Sequence, residues 1–420
     1  MKKPPIIPPA SLNIPSAEKR IMANSSELYI LRNSDQGVVR ASFVFRAGSS
    51  YQSRPFCASA TVNTLAEGST RLSAEEIAER LDFLGSYYDA NIDRDYAVVT
   101  FCSIGKFAAE TFDIAAEVVL HPAFPEKEVA SYCLKRKEQL TIQRRKPDYI
   151  SSELFVRSIF GPEHPYGITS DQSAYDTLTR DDIAEFYRSH YTAANCFAIL
   201  CGHVREEDIA AVAAILNSLP SGRKAERVMP APAPVKSERI VLPDSVQSSV
   251  KIGRPLFPRS HPDFITMQVL STALGGYFGS RLMQNLREKN GYTYGAYAAT
   301  VNYDLSGYFM MGAEVAASAT GRAVETMLHE AERLCRRPLP SGEMQMVRNM
   351  IFGDAQRILD GPFGVADVTI ENIQNGIDNG YTERFLERVK TISPKELLMA
   401  ARKYLAPENL TVTAAGPQAE

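Results

Sequence analysis

The sequence predicts an α+β fold: two tandem homologous α/β sandwich halves. Three observations carry that prediction. Residues 177–202, TLTRDDIAEFYRSHYTAANCFAILCG, match residues 391–416, TISPKELLMAARKYLAPENLTVTAAG, without a gap, so that Thr177, Arg188, Asn195 and Gly202 recur as Thr391, Arg402, Asn409 and Gly416. The offset of 214 residues divides the 420-residue chain nearly in two, with the Pro-, Ala- and charge-rich stretch 219–236, LPSGRKAERVMPAPAPVK, as the bridge. Strand runs separated by helix pairs favour a mixed or antiparallel sheet over the regular βαβ alternation of a doubly wound one. The predicted division is 1–220, a linker at 221–236, and 237–420.

The elements follow in order. Apolar runs place strands near 28–31 and 38–46, helices near 56–67 and 73–84, and a strand pair at 87–92 and 96–103. A Pro-initiated long helix covers 124–140. Thr179 caps an amphipathic helix, an Asn turn follows, and the strand FAILC ends at Gly202. The second half repeats this plan. Strands lie at 238–243 and 247–254, helices at 261–273 and 279–289, and a strand pair at 293–302 and 306–314. A second Pro-initiated helix covers 339–355, Ser393 caps the last helix, and LTVTAA ends at Gly416.

Composition narrows the function. Hydrophobic residues at 45% and charged residues at 23% supply enough apolar material to offset chain entropy, which excludes disorder over most of the chain. The net charge of −3 argues against a nucleic-acid partner, which requires a broad basic face. No run approaches the ~18 apolar residues of a membrane helix, so no membrane partner is expected. The N-terminal segment MKKPPIIPPASLNIPSAEKR breaks into prolines and lacks the apolar core of a secretory signal, giving a cytoplasmic expectation. The six cysteines form no C-x-x-C pair. Cys196 and Cys201 stand an odd number apart in a strand, so they point to opposite faces as buried small hydrophobes.

A set of landmarks recurs in fixed order: RAGS at 46–49, LAEGST at 65–70, LDFLGSYYDANIDRDYAVVTF at 81–101, HPAFPEKEV at 121–129, GPEHPYG at 161–167 and ALGGYFGSRLMQNLREKNGYTYG at 273–295. Over nearly its whole length the chain resembles the pitrilysin/insulinase-like zinc metallopeptidases, and within them the mitochondrial-processing-peptidase-like group. That family's active site is an H-x-x-E-H helix plus a glutamate farther along. The two His share one helix face and hold zinc, the Glu between them activates the zinc-bound water, and the distant Glu is the third ligand.

Registering on Leu65 and Gly68 puts Ser59, Val62 and Asn63 where His, Glu and His belong. Gln139, eight residues before Pro147, stands near the third ligand's place. The first histidine is His121, and the other five, at 164, 190, 203, 261 and 329, are never closer than 13 residues. No metal site and no catalytic residue is therefore expected in this chain alone, and His121, His164 and His261 read as turn or loop residues.

Arg287 and Tyr294 match the family's R-E-x-x-G-x-x-Y element. The resemblance implies that this pair reaches the substrate beside the zinc, the guanidinium binding a peptide carbonyl and the phenol an oxyanion. Arg287 is expected to end a helix, Gly291 to be its C′ residue, and Tyr294 to sit on the next strand. Strands 87–92 and 96–101 correspond to the family's substrate-docking region, with Asp89 and Ala90 where Asn-Ala is common.

In some two-chain members one chain carries zinc and the other the Arg–Tyr pair. The resemblance thus implies a non-catalytic, substrate-binding subunit of a heterodimeric zinc peptidase, active only with a zinc-bearing partner chain. Its partners would be that homologous subunit and peptides, with a homodimer in isolation as a further form. Two alternatives stay open: a purely structural or peptide-binding pseudopeptidase, and an enzyme with a different site. Gly275, Gly276 and Gly279 lack a following Lys-Ser/Thr, which excludes a phosphate loop, and are read as a tight turn between helices. The basic run Lys135, Arg136, Lys137, Arg144, Arg145 and Lys146 is read as the solvated face of a long helix, with a chamber-facing minority that attracts acidic peptides as the alternative.

Overall fold

The computed structural model describes residues 14–33, 37–378 and 380–418. The reading of the N-terminal segment as lacking a signal core falls largely outside them. The first half runs β1 (Glu18–Ile21), β2 (Glu27–Arg32), β3 (Val38–Phe45), α1 (Cys57–Asn63), α2 (Ala74–Leu84), β4 (Tyr87–Ile92), β5 (Ala97–Ile104), α3 (Ala108–Leu120), α4 (Glu126–Gln143), α5 (Pro147–Phe160), α6 (Arg180–His190), β6 (Cys196–Gly202) and α7 (Glu206–Ser218). The second runs β7 (Ser237–Val241), β8 (Gln247–Leu256), α8 (Phe264–Gly275), a π-helical segment (Met283–Lys289), β9 (Ala296–Asn302), β10 (Gly307–Ala316), α9 (Thr320–Arg336), α10 (Ser341–Ile358), α11 (Pro362–Gln374), α12 (Tyr381–Thr391), α13 (Pro394–Tyr404) and β11 (Thr411–Gly416). Among the described residues no helix is long and apolar enough to cross a membrane.

The repeat is visible in the topology. The first sheet has the order β1-β2-β6-β3-β5-β4 and the second β7-β11-β8-β10-β9. Each has one parallel pair, β2 with β6 and β7 with β11, in an otherwise antiparallel ladder. The extra edge strand β1 lies outside the sequence-derived plan. Thr179 and Ser393 both close capping boxes, with Asp182 and Glu396 at the third helical position. Cys196 packs in the core under the first helical layer and Cys201 on the sheet's other face, as an odd spacing dictates.

Each half also lends a helix to the other. The inner face of the first sheet is covered by α1 to α4, α6 and α7, and that of the second by α8, the π segment, α9, α10, α12 and α13. The outer faces are covered crosswise. Helix α5 lies on β8 and β11 of the second sheet, and α11 lies on β6 and β2 of the first. Gly253 permits this approach, since a Cβ there would overlap the Phe309 carbonyl and the Phe155 ring. Ser151 on α5 donates to Ser249 at 2.6 Å, and buried Lys251 donates to Asp148 at 2.7 Å.

The bridge is woven into this junction. Arg227 forms a buried ion pair with Asp95 and donates to the Tyr166 hydroxyl at 2.8 Å. Tyr166 donates to Asp95 at 2.8 Å, and Asp95 also accepts from the Asp304 backbone amide at 2.6 Å. Arg46 reaches the Asp304 carboxylate at 2.7 Å. One polar cluster thus ties the first half, the bridge and the β9–β10 turn of the second half together.

Candidate functional site

Helix α1 carries the first set of candidates. It begins at Phe56, whose backbone is left-handed (φ 64°), a conformation costly for a bulky residue. The ring is held there by stacking flat on Tyr175, 4.2 Å away. The helix is shorter than expected, because Thr64 turns its amide back to the carbonyls of Ala60 and Thr61.

Ser59 donates to the Phe56 carbonyl at 2.9 Å, and the Asn63 amide donates to the Ser59 carbonyl at 2.7 Å. Val62 is fully buried in the first core. Gln139, on α4, accepts from Arg136 at 3.2 Å. These four residues offer no imidazole, thiolate or carboxylate, so they do not fit a zinc ion, and none can take a proton from a bound water. Among the described residues, no three His, Cys, Asp or Glu side chains stand together as a metal site.

Around these positions stands a polar group of a different kind. Tyr132, one turn before Arg136 on α4, lies beside Ser59 with its hydroxyl buried and making no hydrogen bond. Its ring stands 5.9 Å from the Arg136 guanidinium. Burial pushes the Tyr132 phenol up to about 12 and also raises that of Tyr175, against the pull of Arg136. Nearby, burial and then Glu128 push the Glu67 carboxyl above its usual range. Sequence reasoning placed Arg136 within a solvated basic run. The i, i+4 spacing of Tyr132 and Arg136 was the available signal, but Tyr175 arrives from a distant turn.

That basic run is not one continuous helical face. Helix α4 stops at Gln143, and Arg144 turns the chain into α5 by bonding Glu153 at 3.1 Å and Asp171 at 3.0 Å.

Asp89 and Ala90 lie on β4, which among the described residues pairs only with β5 and forms an open edge of the first sheet beside α1. Asp89 accepts a hydrogen bond from Asn91, two residues along the same strand.

Arg287 and Tyr294 sit on the second half. Arg287 lies in the π-helical segment with its guanidinium over Phe278, 4.5 Å from the ring centre. Gly291 follows with φ 64°, the C′ conformation expected of it. Tyr294 is not on a strand. Thr293 accepts from the Gly295 amide at 3.1 Å and donates to the Glu314 carbonyl at 2.6 Å, which folds 293–295 into a turn before β9. The phenol therefore projects outward, 91% exposed. Gly275 also differs from expectation: it ends α8, where a Cβ would overlap the β9 backbone at Ala298, so it serves close helix–sheet packing.

Comparison with known proteins fits this geometry. Residues 177–351 match the family model described as Peptidase M16 inactive domain. The chain is thus similar to the M16 peptidases, through that matched segment and through relatives named zinc proteases. An uncharacterized zinc protease of Rickettsia bellii is 25% identical over 294 residues, covering 69% of this chain and 70% of that protein. The uncharacterized zinc protease YmxG of Bacillus subtilis is 22% identical over 296 residues, covering 70% and 72%. The fold match reaches beyond that segment. A peptidase M16 inactive domain from Pseudomonas fluorescens superposes with a TM-score of 0.87 at 23% identity, over 96% of this chain and 98% of that one. A protease from Helicobacter pylori gives 0.83 at 17% identity, over 96% and 100%.

Proposed function

We propose that this M16-like chain is the non-catalytic, substrate-binding subunit of a heterodimeric zinc peptidase. One contrast supports the reading. The zinc positions carry side chains bonded to their own helix or buried in the core, whereas Tyr294 stands free in solvent and Arg287 lies in the π-helical segment that leads to its turn. In this reading a homologous partner supplies the zinc, and this chain contributes Arg287 to a peptide carbonyl and Tyr294 to the developing oxyanion. The open edge at β4 offers main-chain hydrogen bonds to an extended peptide. The test is purification of the protein with its native associates. A same-sized chain bearing H-x-x-E-H, with about one zinc per pair, is the expected result. A chain that emerges alone and metal-free would move the reading to a peptide-binding pseudopeptidase.

A further inference from the structure

The residues that stand where the family places zinc do not fit a metal, yet the place is not apolar. Arg136 brings a fixed positive charge to it, and Tyr132 brings a buried hydroxyl that makes no hydrogen bond. Tyr175 lies beside both Ser59 and Arg136 and is clamped by its stack on Phe56.

The other cations nearby are committed. Lys137 bonds both oxygens of Asp176, at 2.6 and 2.7 Å, and Arg144 bonds Glu153 and Asp171. Arg136 donates to the neutral Gln139 oxygen and lies against the Tyr132 and Tyr175 phenols, and among the described residues no carboxylate forms an ion pair with it. The buried Tyr132 hydroxyl, left without a partner, costs free energy unless something arrives to satisfy it. A planar guanidinium beside phenolic donors matches a carboxylate, which accepts two parallel hydrogen bonds from arginine. Helix α1 packs against both α4 and the β4 edge strand, so one helix connects this cluster to the open edge.

We infer that Arg136, Tyr132 and Tyr175 form a carboxylate-binding site for a peptide extended along β4, so that a protein cation stands in for the lost metal. This rests on the peptide-binding reading above and names the substrate chemistry that reading leaves open. The carboxylate could come from the peptide's own C-terminus or from an acidic side chain.

Three N-terminally dansylated octapeptides of Val, Thr and Ala distinguish these sources when titrated against the full chain: one with a free C-terminus, one amidated, and one amidated with a single internal Glu. A carboxylate-bearing peptide should bind about tenfold or more tightly than the neutral amide, as a charge-assisted hydrogen bond provides. The tighter of the two identifies the source. Arg136→Gln, on the exposed face of α4, should abolish the difference while leaving the neutral amide's affinity unchanged. Tyr132→Phe should weaken only the carboxylate peptides. If all three peptides bind wild type equally, the carboxylate site is refuted and peptide binding stands. If Arg136→Gln keeps the discrimination, the site is misplaced. If no peptide binds, both readings fall.

Discussion

Arg227→Met removes the cation from the buried cluster that joins the two halves through the bridge. Asp95 would keep the Tyr166 hydroxyl at 2.8 Å and the Asp304 amide at 2.6 Å, but lose its ionic partner. Removing one member of a buried pair costs about 3–5 kcal/mol. Because two hydrogen bonds still solvate the carboxylate and methionine fills part of the vacated volume, the lower end, about 3 kcal/mol, is expected at pH 8. The loss should depend on pH. Burial already pushes the Asp95 carboxyl above its usual value, and Arg227 is the strongest influence opposing it. Without Arg227 the folded-state value rises further. A folded-state pKa above the unfolded one means that the folded protein binds more protons, so this contribution is most favourable below about pH 4 and is lost as pH rises through the folded value. The variant should therefore lose less against wild type at pH 5 than at pH 8. Urea unfolding followed by far-ultraviolet circular dichroism measures this, since the chain has no Trp to report. Both halves share the cluster, so one cooperative transition should shift as a whole. A loss under about 1 kcal/mol at pH 8, or one identical at the two pH values, would refute the reasoning.

The crossed helices make a second prediction. Phe155 on α5 is buried against Gly253 and Tyr308 of the other half, so Phe155→Ala should cost about 3–5 kcal/mol in the same urea assay, and a surface-like effect would show that α5 is not seated there. At the last helix, the Arg388 side chain and then the Ser393 cap hold the Glu396 carboxyl at about 2. An NMR titration should find that low midpoint, with the favourable contribution present above the ordinary Glu value and lost as pH falls through about 2. Ser393→Ala should move the midpoint upward and cost about 1 kcal/mol, and an unmoved midpoint would remove the cap from the account.

Much of the fold could be read before any coordinates because its signals are local. The gapless match of 177–202 with 391–416 carried a cap, a helix and a strand together, and both copies occupy equivalent places in their sheets. What stayed hidden depends on partners far along the chain. Helices α5 and α11 start at Pro147 and Pro362 and look local, yet each seats on the other half's sheet, which no periodicity within the helix records. The strand expected at 293–302 takes in Tyr294. The Thr293 hydroxyl, bonded to Glu314 across the ladder, turns it out instead. That Ser59, Val62, Asn63 and Gln139 carry no imidazole or carboxylate needs no coordinates to see. The Tyr132–Arg136–Tyr175 group was not legible, because Tyr175 reaches α4 from beyond α5.

The most direct test of the central claim is peptide cleavage by the reconstituted pair, this chain mixed with a zinc-bearing homologue from the same source. Neither chain should cleave an unfolded peptide efficiently alone, and the mixture should. Tyr294→Phe in this chain should lower kcat of the mixture by about 100-fold, the loss typical of removing an oxyanion donor, and Arg287→Ala should impair cleavage through lost peptide binding, neither preventing association. Full activity of the mixture with both variants, or equal activity of the homologue without this chain, would contradict the account.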